Sequence, residues 1–84
     1  MRKIGHIVKG EEGIHAQVAV FLAQAAKKYS SKILIWEGEK SADSKSMLEI
    51  IGLCVKKDSF IQIEITGEDE ERAAEEFTKL IADL

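Results

Sequence analysis

The segment FIQIEIT, residues 60–66, alternates without a break: Ile61, Ile63 and Ile65 fall on one side of an extended chain, Gln62 and Glu64 on the other. Period-two alternation predicts a β-strand with one face buried and the other wetted. A sheet containing such a strand is open on one face and needs an apolar cover on the other. Part of that cover is legible in the residues that follow. GEDEERAAEEFTKLIADL sets acidic residues in a first helical turn, where the helix dipole favours them. It then aligns Ala73, Ala74, Phe77, Leu80, Ile81 and Leu84 into an apolar stripe.

The remaining elements fill in upstream. IGHIV, residues 4–8, is β-prone and ends at the turn-like KGEEG of residues 9–13, so it predicts a first strand. A helix then begins at about His15 or Ala16. Along it Val18, Leu22, Ala26 and Tyr29 recur at helical spacing with Ala19 and Ala23 beside them, a small-residue face suited to packing on a sheet; Gln24, Lys27 and Lys28 lie elsewhere on the wheel. KILIWEGEKSA, residues 32–42, predicts strand two, a turn at Gly38 and a weak edge strand three. Ser46 followed by Glu49 matches the S-x-x-E capping box, which predicts a short helix from about Met47 to Leu53. The order β-α-β-β-α-β-α predicts an α+β fold, an antiparallel sheet open on one face with three helices on the other. With 84 residues, 45% of them hydrophobic, and no repeat, linker or low-complexity segment, the chain is expected to form one domain over residues 1–84 with one modest core.

Composition removes several function classes. Fifteen acidic against 12 basic residues give a net charge of -3, and no run of Lys or Arg supplies the basic face that a phosphate backbone requires, so nucleic acid is not an expected partner. Apolar runs stop well short of the roughly 20 residues a membrane span needs, and MRKIGHIVKG lacks the apolar core of a signal peptide. A soluble cytoplasmic protein is expected. Cys54 is the only cysteine and there are two histidines, which leaves no internal disulfide and no zinc framework; neither metal nor cofactor is expected. Cys54 reads as a small core residue. His6, within the first strand beside Ile4 and Val8, reads as structural.

The segments GIHA at 13–16, KSML at 45–48 and ITGEDE at 65–70 together resemble HPr, the histidine-containing phosphocarrier family of the bacterial sugar phosphotransferase system. The resemblance runs without gaps over nearly the whole chain. It implies an open-faced β-sandwich with sheet order 1-4-2-3. It also implies that a histidine after the first strand receives a phosphoryl group from enzyme I and passes it to sugar-specific enzyme II components; His15 falls on that position. In Gram-positive members a serine at the start of the second helix is phosphorylated by an ATP-dependent HPr kinase, linking the protein to catabolite repression and its transcriptional regulator. Ser46 falls there. The first two helices form the family's docking face, which implies partner contacts at Val20, Phe21, Gln24, Lys27, Lys45, Met47, Leu48 and Ile51. The two lysines would form a positive rim for acidic partners.

The family motif G-[IL]-H-[AT]-R-P-A reads GIHAQVA here, with Gln17 for arginine and Val18 for proline. A phosphoryl group on His15 would meet backbone N-H donors of Ala16, Gln17 and Val18 at a helix start, and Val18 restores an N-H that proline lacks. Gln17 offers a neutral hydrogen bond in place of a charged one, a loss of about 1 to 2 kcal/mol, or roughly tenfold in transfer. The sequence therefore supports a phosphocarrier that is a substrate of phosphotransferases rather than an enzyme. Its alternative is a regulatory or protein-binding relative with weak or no phosphotransfer. Ser46 stands equally well as an N-cap worth about 1 kcal/mol and as a regulatory site at which Glu49 opposes added negative charge.

Overall fold

The computed structural model describes residues 1–84. Along the chain run β1 (Arg2–Ile7), α1 (Ala16–Lys27), β2 (Lys32–Glu37), β3 (Lys40–Asp43), α2 (Met47–Gly52), β4 (Phe60–Thr66) and α3 (Glu70–Ile81). The four strands form one antiparallel sheet in the order β1-β4-β2-β3. The alternation in β4 sets the register for both neighbours. Ile63 lies opposite Ile4 and Ile35, Ile65 opposite Ile33, and Ile61 opposite His6, so one face of the sheet is an isoleucine layer interrupted by His6 on β1. The three helices cover that face. α1 contributes Ala19, Leu22, Ala23, Ala25 and Ala26 to the core, α2 contributes Ile50, and α3 contributes Ala73, Ala74, Phe77 and Ile81. Alanines let α1 approach its neighbours closely, while large side chains such as Leu22 and Phe77 each supply on the order of 2 kcal/mol of burial. The opposite face stays open, with Ile7 and Phe60 half exposed upon it.

Tight joints are made by residues suited to them. Gly38 opens the two-residue turn between β2 and β3 at φ 61. Asp69 precedes α3 without capping it. Its carboxylate instead accepts from the amides of Ser30 and Ser31 and from the Ser31 hydroxyl, pinning the α1–β2 connection to the start of α3. Those donors, the Ser31 hydroxyl foremost, hold the Asp69 carboxyl down to about 2. Glu76 joins the same two regions by accepting from Lys28 Nζ at 2.7 Å and from the Tyr29 hydroxyl at 2.5 Å. The Leu84 carbonyl accepts from the amides of Lys9 (2.6 Å) and Gly10 (2.8 Å), fastening the residues after α3 to the loop after β1.

Three local expectations need correction. β1 begins at Arg2 rather than Ile4, because β4 is long enough to pair with Arg2 and Lys3 through Ile65 and Glu64, whatever their polarity. α2 ends at Gly52, with Leu53 as its C-cap. Cys54, expected in the core, is exposed. The chain reverses there through a left-handed residue, φ 54, whose amide donates to the Ile51 carbonyl; this turns Leu53 and Val55 inward and Cys54 out. His6 lies on the helix-covered side of β1, half-buried opposite Ile61, with its Nε2 buried and without a hydrogen-bond partner.

Candidate functional site: a histidine at the start of α1

His15 is placed by the two residues before it. Gly13 has φ 64, and a Cβ there would lie 2.1 Å from the Val55 carbonyl oxygen, so only glycine lets the loop run against this segment. The next amide, Ile14 N-H, donates to that same oxygen at 3.1 Å, and the Ile14 side chain is buried. With the loop anchored on both counts, His15 becomes the N-cap of α1. Its backbone is extended (φ -92, ψ 179), its carbonyl accepts from Ala19 N-H at 3.0 Å, and its Nδ1 accepts from Gln17 N-H at 3.3 Å. A neutral imidazole that accepts at Nδ1 carries its proton on Nε2. Nε2 in turn lies 3.8 Å from Glu12 Oε2.

This arrangement suits a nucleophile. The Nδ1 lone pair points at the helix start, where the amides of Ala16 and Val18 also lack a preceding turn to accept from them. A phosphoryl group on Nδ1 would take the Gln17 hydrogen bond for itself and meet the positive end of the helix dipole. His15 also borders a cavity of about 240 Å³, lined by residues 10–13 together with Val18, Asp83 and Leu84. Its charged side chains are all acidic: Glu11, Glu12 and Asp83, with no lysine or arginine among them. The largest depression, about 730 Å³, lies around the start of α3, away from the histidine, and holds neither an imidazole nor a thiol.

Ser46 is the N-cap of α2, its hydroxyl accepting from Glu49 N-H at 3.3 Å. Only this half of the capping box forms. The Ser46 amide is already committed to the Asp43 carbonyl at 2.9 Å, and Glu49 Oε1 reaches past it to accept from Asp43 N-H at 3.0 Å. Glu49 is thereby held close to Ser46. Along α1 and α2, Phe21, Met47, Leu48 and Ile51 are exposed, Leu48 most of all at 76%, and Val20 is half-buried. Gln24 and Lys27 are exposed, while Lys45 is half-buried at the mouth of α2. α1 packs directly against α2, so the helices bearing these groups adjoin. Glu12 does not stand out in the sequence: its only signal there is a carboxylate three residues before the histidine, inside a segment that reads as a turn.

An open-faced sandwich with a histidine displayed at a helix start, after the first strand, is the architecture of a histidine phosphocarrier. Residues 4–83 match the family model PTS-HPr, described as the PTS HPr component phosphorylation site. The phosphocarrier protein HPr of Mycoplasma capricolum is 31% identical over 83 residues, 99% of this chain and 93% of that one. A solved histidine-containing phosphocarrier protein of Mycoplasma superposes with a TM-score of 0.94 at 30% identity, covering 98% of this chain and 93% of its own. The catabolite repression protein Crh of Bacillus subtilis matches with a TM-score of 0.75 at 23% identity, covering 96% and 93%, a likeness of fold alone. This chain belongs to the HPr family, the phosphocarrier family of the phosphotransferase system. No helix is long and apolar enough to cross a membrane.

Proposed function

We propose that His15 Nδ1 accepts a phosphoryl group from enzyme I and donates it to enzyme II components. The observation that carries this reading is the orientation of the ring: Nδ1 faces the Gln17 amide at a free helix start, while the Gly13 turn fixes the backbone that presents it. Partners would dock on the exposed apolar groups of α1 and α2 around Phe21, Leu48 and Ile51. Incubation with enzyme I and labelled phosphoenolpyruvate should yield an acid-labile, base-stable phosphate that is lost in His15→Ala. No label on the wild-type protein would refute the carrier role. Gln17→Arg should raise the labelling rate roughly tenfold, because a charged donor replaces a neutral one.

A second reading is favoured by the missing cation: a regulatory or protein-binding relative that docks through the same helices with weak or no phosphotransfer. Ser46 bears on both readings. Incubation with an HPr-type kinase and ATP, with Ser46→Ala as the control, tests whether it is modified at all. Glu49, held beside it, should make labelling slow, and Glu49→Gln should speed it by reducing like-charge repulsion.

A further inference from the structure

Glu12 has no part in the reading above, yet it stands opposite the one ring nitrogen that the phosphoryl group would not use. Nε2 of His15 lies 3.8 Å from its Oε2, while Nδ1 accepts from the Gln17 amide. The Gln17 contact selects the tautomer with the proton on Nε2, and that nitrogen lies on the side of the ring that faces the Glu12 carboxylate. At 3.8 Å the two groups are too far apart for a hydrogen bond and would form an ion pair once the ring carries a positive charge; the Glu12 side chain is 79% exposed against 39% for His15.

We propose that Glu12 is a positioning carboxylate for His15, holding the Nε2 proton on the ring before and after phosphorylation. The inference rests on the phosphocarrier reading. When Nδ1 attacks phosphorus, its lone pair forms the N–P bond while the donor's bond to phosphorus breaks and that electron pair leaves with the donor. The Nε2 proton stays, so the ring becomes a phosphoimidazolium whose positive charge faces Glu12. On onward transfer the N–P electron pair returns to Nδ1, and the ring departs as neutral imidazole. Had the Nε2 proton been lost, the ring would have to leave as imidazolate, a far poorer leaving group. A carboxylate at Nε2 therefore keeps the carrier in its transferable form to higher pH. Glu11 and Asp83, the other charged side chains lining the cavity, act with the same sign, and Gln17 on α1 brings no opposing charge.

The test follows hydrolysis of the phosphorylated protein from about pH 5 to about pH 9 in wild type, Glu12→Ala and Glu11→Gln. In Glu12→Ala the fall in rate at high pH should begin at lower pH, and hydrolysis near pH 8 should slow roughly two- to fivefold, the range an exposed ion pair supports. Glu11→Gln should move the profile less. Superimposable profiles for wild type and Glu12→Ala would overturn the proposal, as would an equal shift in Glu11→Gln, which would reduce the effect to net charge. A second readout needs no phosphotransfer: the ¹⁵N shifts of the unphosphorylated ring should report mainly the Nε2–H tautomer, with the Nδ1–H form rising in Glu12→Ala. An unchanged tautomer ratio would overturn the proposal by itself. A protein that shows the tautomer effect but accepts no phosphate would sink the carrier reading and leave the pairing of Glu12 with His15 standing.

Discussion

At the scale of single residues, the site depends more on Gly13 than on any group near the ring. Its φ of 64 and the 2.1 Å approach of a hypothetical Cβ to the Val55 carbonyl leave no room for a side chain. Gly13→Ala should cost at least about 2 kcal/mol in urea denaturation, since it adds a backbone clash to left-handed strain. Its effect on His15 phosphorylation should exceed what the lost stability explains, because the loop that presents the ring must move. The glycine and the histidine are both visible in GIHA, since a turn residue before a helix start is a local signal. Cys54 is not: nothing in GLCVKK announces that the chain turns left-handed there, because that conformation is set by the need to return Val55 to the core.

At the scale of elements, local pattern is enough wherever one face is buried. β4 and α3 are legible from their periodicities alone, and the isoleucine layer lies where the alternation puts it. Polar joints between elements are less legible, because they pair residues distant in sequence. Asp69 is the clearest case, spanning nearly 40 positions to reach Ser30 and Ser31. Its folded-state value of about 2 lies below the ordinary 3.8, so its stabilising effect is complete above about pH 4 and is lost as pH falls through 2. The urea midpoint should therefore drop as pH falls across that window, and Asp69→Asn should flatten the dependence in the same titration. Glu49 makes the matching point for α2: the S-x-x-E signal correctly marks a helix start, but the amide its carboxylate would take is already bonded to Asp43.

At the scale of the whole molecule, the sheet order follows from the family resemblance rather than from periodicity, since alternation tells which face a strand buries but not which strand lies beside it. The same limit hides Glu12, whose closeness to Nε2 depends on how the loop folds back before α1. Docking is likewise a property of assembled surfaces. Leu48, 76% exposed on α2, contributes little to the core, so Leu48→Asp should leave the urea midpoint almost unchanged. If the α1–α2 face receives enzyme I, the same variant should raise KM for phosphorylation severalfold with little change in kcat.

The two hydrogen bonds from Lys9 and Gly10 to the Leu84 carbonyl give the molecule a mechanical connection between the residues after its last helix and the loop that leads to His15. Any opening that lifts the residues after α3 away also frees two amides a few residues before His15, so the two segments should open together. The loop that leads to His15 is thus tethered by the residues after α3, and amide exchange at Lys9 and Gly10 measures how often that tether lets go.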